Sequence, residues 1–149
     1  MAPRKARSAA RTPTIGVLVD LLEGEYQSGV VGGMVEASLD LGFNMLLLSD
    51  NLRRARDEGG RRHDITYDLA GAATVDGIVV MAGPLANIVG MDELAAYCER
   101  FQPRPMCSIA ATVRGMTGVL VDGEPALREG IRHLVEEHGC RDVAFLAGP

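Results

Sequence analysis

A chain of 149 residues with 47% hydrophobic side chains has the length of one ordinary domain and enough apolar material for its core. The formal net charge is −5, but the first 12 residues carry Arg4, Lys5, Arg7 and Arg11 and no acid, leaving 11 basic against 20 acidic side chains elsewhere. An acidic body repels phosphate backbones, so it is expected to make no DNA contact, and only the basic leader is suited to touch a polyanion weakly. No apolar run approaches the roughly 18 to 20 residues that a bilayer span needs. Cys98, Cys107 and Cys140 are odd in number and form no CxxC pair, which speaks against a disulfide framework or a zinc site and fits a reducing cytoplasm.

Residues 1–13 read as a disordered basic tail, from their Ala, Arg, Ser and Pro content. The apolar run over residues 14–19 predicts a first strand buried on both faces and stopped by Asp20. Residues 21–25 read as a loop. Val30, Val31, Met34, Val35, Leu39 and Leu41 then recur at helical spacing over residues 27–41, and Gly42 closes that helix. A second strand is predicted over residues 43–48, followed by a charged, glycine-bearing loop over residues 51–64 with no apolar face to pack. A short helix is expected over residues 66–73 and a third strand over residues 78–81, ended by Gly83 and Pro84.

Met91, Leu94, Ala95, Cys98 and Phe101 share one face of a helix over residues 91–101, which Pro103 and Pro105 terminate. A fourth strand follows over residues 106–110 and a fifth over residues 118–121, ended by Asp122. The last helix, residues 125–138, is expected to bury Leu127, Ile131, Leu134 and Val135, with Gly139 as its cap and a sixth strand over residues 143–146. Such alternation implies an α/β fold, a three-layer doubly wound parallel sheet built from right-handed crossovers. Ligands of this architecture sit outside the carboxyl ends of the strands. The positions to inspect are therefore residues 20–27, 49–51, 81–87, 110–112, 122–123 and 148–149.

Several chemistries lack their residues. The first strand-helix turn, Asp20-Leu21-Leu22-Glu23-Gly24-Glu25, is acidic and has no GxGxxG, so a dinucleotide pyrophosphate is repelled. The only lysine is Lys5, which removes a Walker loop, and Met81 and Val121 or Asp122 stand where a phospho-accepting receiver needs its Asp and Lys. There is no GxSxG elbow. His133 and His138, five apart, fall about 140° apart around a helix, a poor arrangement for a metal, and read as helix-surface or helix-end residues. His63 lies in the charged loop without a visible partner.

Three segments resemble the ligand-binding domain of the lactose-repressor/galactose-repressor (LacI/GalR) family, related to periplasmic sugar-binding proteins. "TIGVLVD" with "GVVGGMVEASLDLGFNMLLLSD" looks like the family's first strand, first helix and second strand, and "VDGIVVM" looks like its third strand. "GVLVDGEPALREGIRHLVEEHGCRDVAFLAGP" is similar to the family's Val-x-Val-Asp, a helix with His-Leu, and a strand closing in Gly-Pro. The resemblance covers residues 14–149 and implies the first lobe of a periplasmic-binding-protein-like domain of type I. The chain is expected to stop at the hinge, before the second lobe.

The resemblance implies a non-enzymatic, cofactor-free clamp that closes on a sugar or nucleoside-like effector, in a LacI-like bacterial transcriptional regulator of the cytoplasm, homodimeric through lobe helices. Residues 1–13 are too short for a helix-turn-helix. "GEYQ" and "YCERFQPRPMCSIA" also resemble LacI-like sensors joined to kinase or diguanylate cyclase outputs, and a lone interaction module is a further alternative. Tyr26 and Gln27 match the ligand-contacting positions after the first strand, offering a stacking face and paired donor and acceptor. Asp20 stands at the mouth beside them. Asp122 matches the family aspartate, although its place just before a helix also suits a cap. Met81 and Ala110 stand where several sugar-binding members have polar residues, making the cleft less polar, and Asn87 completes the expected ligand-binding set.

Overall fold

The computed structural model describes residues 11–49, 64–71 and 75–146. The elements run β1 (Thr14–Val19), α1 (Glu25–Leu41), β2 (Asn44–Ser49), α2 (Asp64–Leu69), β3 (Gly77–Val80), α3 (Ala82–Val89), α4 (Met91–Glu99), β4 (Met106–Ile109), β5 (Thr117–Val119) and α5 (Glu124–Glu136). The strands form one five-stranded sheet in the order β2-β1-β3-β4-β5, and every pairing is parallel. The α/β doubly wound class expected from the alternation is the one observed.

The register explains which apolar residues make the core. Leu18 pairs with Leu48 and Val80, and Val80 with Ser108, so these four side chains share one face of the sheet. Leu18, Leu48 and Val80 join Tyr67 and Ala70, Leu85 of α3, Leu94, Ala95 and Cys98 of α4, and Phe101 in one buried cluster. Phe101 meets Tyr97 edge to face at 5.5 Å, a preferred aromatic arrangement. The spacing of Leu94, Ala95, Cys98 and Phe101 thus locates the buried side of α4 correctly, whereas Met91 is 38% exposed. A chain that passes from β1 outward to β2 and then back to β3 must, with right-handed crossovers, carry α1 on the opposite face. There Val17 and Val19 are buried, yet no residue of α1 is.

The ends of elements follow local chemistry. Gly42 takes a left-handed φ of 70° and its amide bonds Ser38 O at 3.0 Å, ending α1 as expected. At the opposite edge Asp76 accepts from Thr14 N at 2.7 Å and pairs with Arg11, joining the starts of β1 and β3. Arg11 is therefore not a free part of the leader. Residues 1–10, most of the charged loop over 51–64 with His63, and residues 147–149 lie outside the described residues.

Three expectations are corrected. Gly83 and Pro84 do not form a loop after β3 but lie in α3, because Pro is accommodated in the first turn of a helix, where its missing N–H has no partner to lose. The sixth strand does not form: residues 142–146 have no regular structure and are exposed, Leu146 at 94%, and an apolar run without a neighbouring strand has no ladder to join. Finally, α5 has the expected amphipathic spacing but buries none of it, with Leu127, Ile131, Leu134 and Val135 all exposed. After β5 the chain leaves the sheet through exposed Leu120 and Val121, so α5 does not return over either face.

Candidate ligand-binding site

The strand order changes direction between β1 and β3: from β1 the chain goes one way to β2, and from β3 the other way to β4 and β5. Connections leave such a pair on opposite faces, opening a crevice at their carboxyl ends. Asp20 directly follows β1 and Met81 directly follows β3, so these two positions flank it.

Asp20 is 6% exposed, one of the few buried polar side chains among the described residues. Its backbone is held on two sides. Ser49 Oγ donates to Asp20 O at 2.9 Å, and Tyr67 Oη donates to the preceding carbonyl, Val19 O, at 2.7 Å. Its carboxylate accepts from Gln27 Nε2 at 3.5 Å, a long contact that leaves acceptor capacity free for a ligand donor. Gln27 lies over Gly24: a β-carbon at that glycine would stand 2.1 Å from Gln27 Oε1. The "GEYQ" segment thus has a local logic, with Gly24 making room for the side chain that reaches back to Asp20.

Across the crevice α3 begins without a side-chain cap. An uncapped helix start leaves first-turn amides, here those of Ala82 and Gly83 ahead of Pro84, that prefer an acceptor. Ala110, at the end of β4, adopts a φ of 68°, the one non-glycine residue with positive φ among the described residues. A β-carbon on Gly83 would meet the Ala110 methyl at 3.0 Å, so α3 and the β4 turn approach closely there. Among the described residues the arrangement offers a carboxylate acceptor, an amide with both roles and helix-end donors. That is a set for hydroxyl and carbonyl groups.

The expected residues divide. Asp20 and Gln27 come together, and Tyr26 follows α1's first residue with its side chain 49% exposed. Met81 is fully buried, because β3 runs straight into α3 and turns this side chain into the core, so it presents no surface to a ligand. Asn87 is exposed but lies in the second half of α3, away from the end that opens on the crevice. Asp122 Oδ1 accepts from Glu124 N at 3.2 Å, a turn contact one residue ahead of the N-cap, Gly123, and α5 has no side-chain cap. Ser49, Tyr67 and Gly24 support the site, and of these Gly24 and Ser49 lie within the strand-end positions expected from the sequence whereas Tyr67 does not. Ser49 was legible as the polar stop after the second strand, but Tyr67, 48 residues from Val19, carries no local signal.

Other hollows among the described residues lie away from this crevice. One of about 70 Å³ behind β1, lined by Leu18, Tyr67, Leu85, Val89, Leu94 and Tyr97 with Glu93, is too small for a sugar. A groove of about 710 Å³ follows residues 102–106 and 115–117 at the opposite edge of the sheet.

No protein-family model matches the chain, and no curated protein sequence does. Solved structures do. The transcription regulator CcpA of Lactococcus lactis superposes with a TM-score of 0.61 at 19% identity, over 85% of this chain and 43% of that one. A periplasmic binding protein/LacI transcriptional regulator from Alkaliphilus metalliredigens QYMF, complexed with D-xylulofuranose, gives 0.58 at 16% identity, over 88% and 43%. GanP, a glucose-galactose binding protein from Geobacillus stearothermophilus, gives 0.58 at 19%, over 87% and 44%. The chain shares its fold with parts of these LacI-type and periplasmic-binding-protein structures. The chain spans less than half the length of these neighbours. They are regulators and sugar-binding proteins, and among the described residues no helix is long and apolar enough to cross a membrane.

Proposed function

We propose that this chain is the first lobe of a non-enzymatic small-molecule sensor, and that it contributes half of a cleft for a sugar or nucleoside-like effector. The observation that carries the reading is the buried Asp20 at the switch between β1 and β3, tethered by Ser49 and Gln27, with the strand order placing the uncapped start of α3 on the other side of that switch. A polyol supplies donors to the carboxylate and acceptors to the helix amides. The neighbour complexed with D-xylulofuranose supports a carbohydrate as the first class to try. The finer reading is the sensing domain of a LacI-like transcriptional regulator, whose effector-driven closure is passed to an output outside this lobe.

The test is thermal unfolding of the protein against a panel of pentoses, hexoses and nucleosides. A ligand present at a hundred times its Kd stabilises the bound form by about 2.7 kcal/mol, so a clear rise in Tm is expected. Asp20→Asn should abolish it. A panel that shifts nothing, or a shift indifferent to Asp20, overturns the reading.

A further inference from the structure

The two histidines that helical geometry keeps apart are in contact. His133 occupies the last full turn of α5, and α5 ends at Glu136. Beyond it the chain turns back, with Gly139 at a φ of 65° and Cys140 N bonded to Leu134 O at 3.1 Å. His138 lies in that turn and not on the helix, so the 100° step per residue no longer governs where its ring falls. The result is an Nε2 to Nε2 separation of 3.0 Å between His133 and His138, with ring centroids 4.8 Å apart and planes at 80°. This corrects the expectation from spacing alone.

We infer that His133 and His138 form a two-nitrogen chelate for a late first-row divalent ion, of the class Zn²⁺, Ni²⁺ or Cu²⁺. Metal-to-imidazole bonds of about 2.0–2.1 Å, held at 90–109° to one another, place two nitrogens about 2.8–3.4 Å apart. The observed separation falls inside that span. Both rings are exposed, so an ion reaches them without unfolding any part of the lobe. Neutral imidazole suits these ions better than it suits Mg²⁺ or Ca²⁺, which take oxygen. Without metal, one ring donates its Nε2–H to the other's lone pair; when a cation binds, that ring shifts to its Nδ1–H tautomer, through solvent, and both Nε2 lone pairs engage the ion. Among the described residues no group of three or more His, Cys, Asp or Glu is placed to hold a metal. The remaining coordination positions are therefore open to water or to a donor from another molecule. The chelate bridges the last turn of α5 and the segment after it, and its occupation ties that turn shut.

The test is a Zn²⁺ titration of the 149-residue chain, followed by imidazole ¹⁵N NMR and by calorimetry. Nε2 of both rings should move together at one equivalent. His133→Ala and His138→Ala should each weaken binding by about tenfold or more, and the double variant should be little worse than either. His63→Ala should bind as the parent does. Circular dichroism of each variant checks that α5 persists. Rings that respond independently, single variants that bind like the parent, affinity that follows His63, or no binding at all would each overturn the assignment.

Discussion

The hydroxyl of Tyr67 donates a 2.7 Å hydrogen bond to the carbonyl oxygen of Val19, tying α2 to the last residue of β1. Tyr67 is 3% exposed and Val19 is fully buried, so the bond is closed to water. Tyr67→Phe keeps the ring and leaves that carbonyl without this donor. A buried acceptor stripped of its partner costs about 1–3 kcal/mol. Urea unfolding should show a loss in that range, and an unchanged midpoint would mean that another donor replaces the hydroxyl.

Gly24 has no β-carbon, and Gln27 uses the space. Gly24→Ala should push the Gln27 amide off Asp20, because the new methyl would stand 2.1 Å from Oε1. The far end of a flexible side chain moves cheaply, so stability should change little. Effector affinity should fall by about fivefold to tenfold, the equivalent of one hydrogen bond near 1 kcal/mol. Calorimetry with the ligand found in the thermal screen, beside a melting curve, separates the two effects.

Ala110 holds a φ of 68° against the start of α3. A β-branched side chain is poorly tolerated in that region, whereas glycine occupies it without strain. Ala110→Val should destabilise by about 2 kcal/mol. Ala110→Gly should fall within about 1 kcal/mol of the parent, since relieved strain is offset by the greater freedom of the unfolded chain. Equal losses for both would show that the methyl contact, and not the backbone, governs this turn.

Burial pushes the Cys98 thiol up to about 11, and raises that of Cys107 as well. In the unfolded chain the Cys98 thiol ionises first, near its ordinary value of about 8.5. The folded form then binds more protons than the unfolded form, so stability falls as pH rises from the ordinary thiol range to about 11. Below that range the group contributes no pH dependence. Urea midpoints between pH 8 and 11 should decline less steeply in Cys98→Ala than in the parent. Parallel declines would mean that the thiol is not desolvated in the folded state.

By itself the sequence determined the alternation of elements, the parallel sheet and the buried side of α4, because these rest on local periodicity: continuous apolar runs in the strands and three-to-four spacing over Leu94, Ala95 and Cys98. It also placed Asp20 and Gln27 at a strand mouth, since an acid that stops a buried run must lie at its end. Tertiary structure decided the rest. Only the strand order puts Asp20 and the start of α3 on two sides of one crevice, and only packing turns Met81 inward and brings Tyr67 to Val19. The apolar stripe of α5 guarantees a helix but not a surface to cover it, because burial depends on where the chain goes after β5. His133 and His138 show the same limit at one turn: spacing describes a helix, and their contact exists because the helix ends between them.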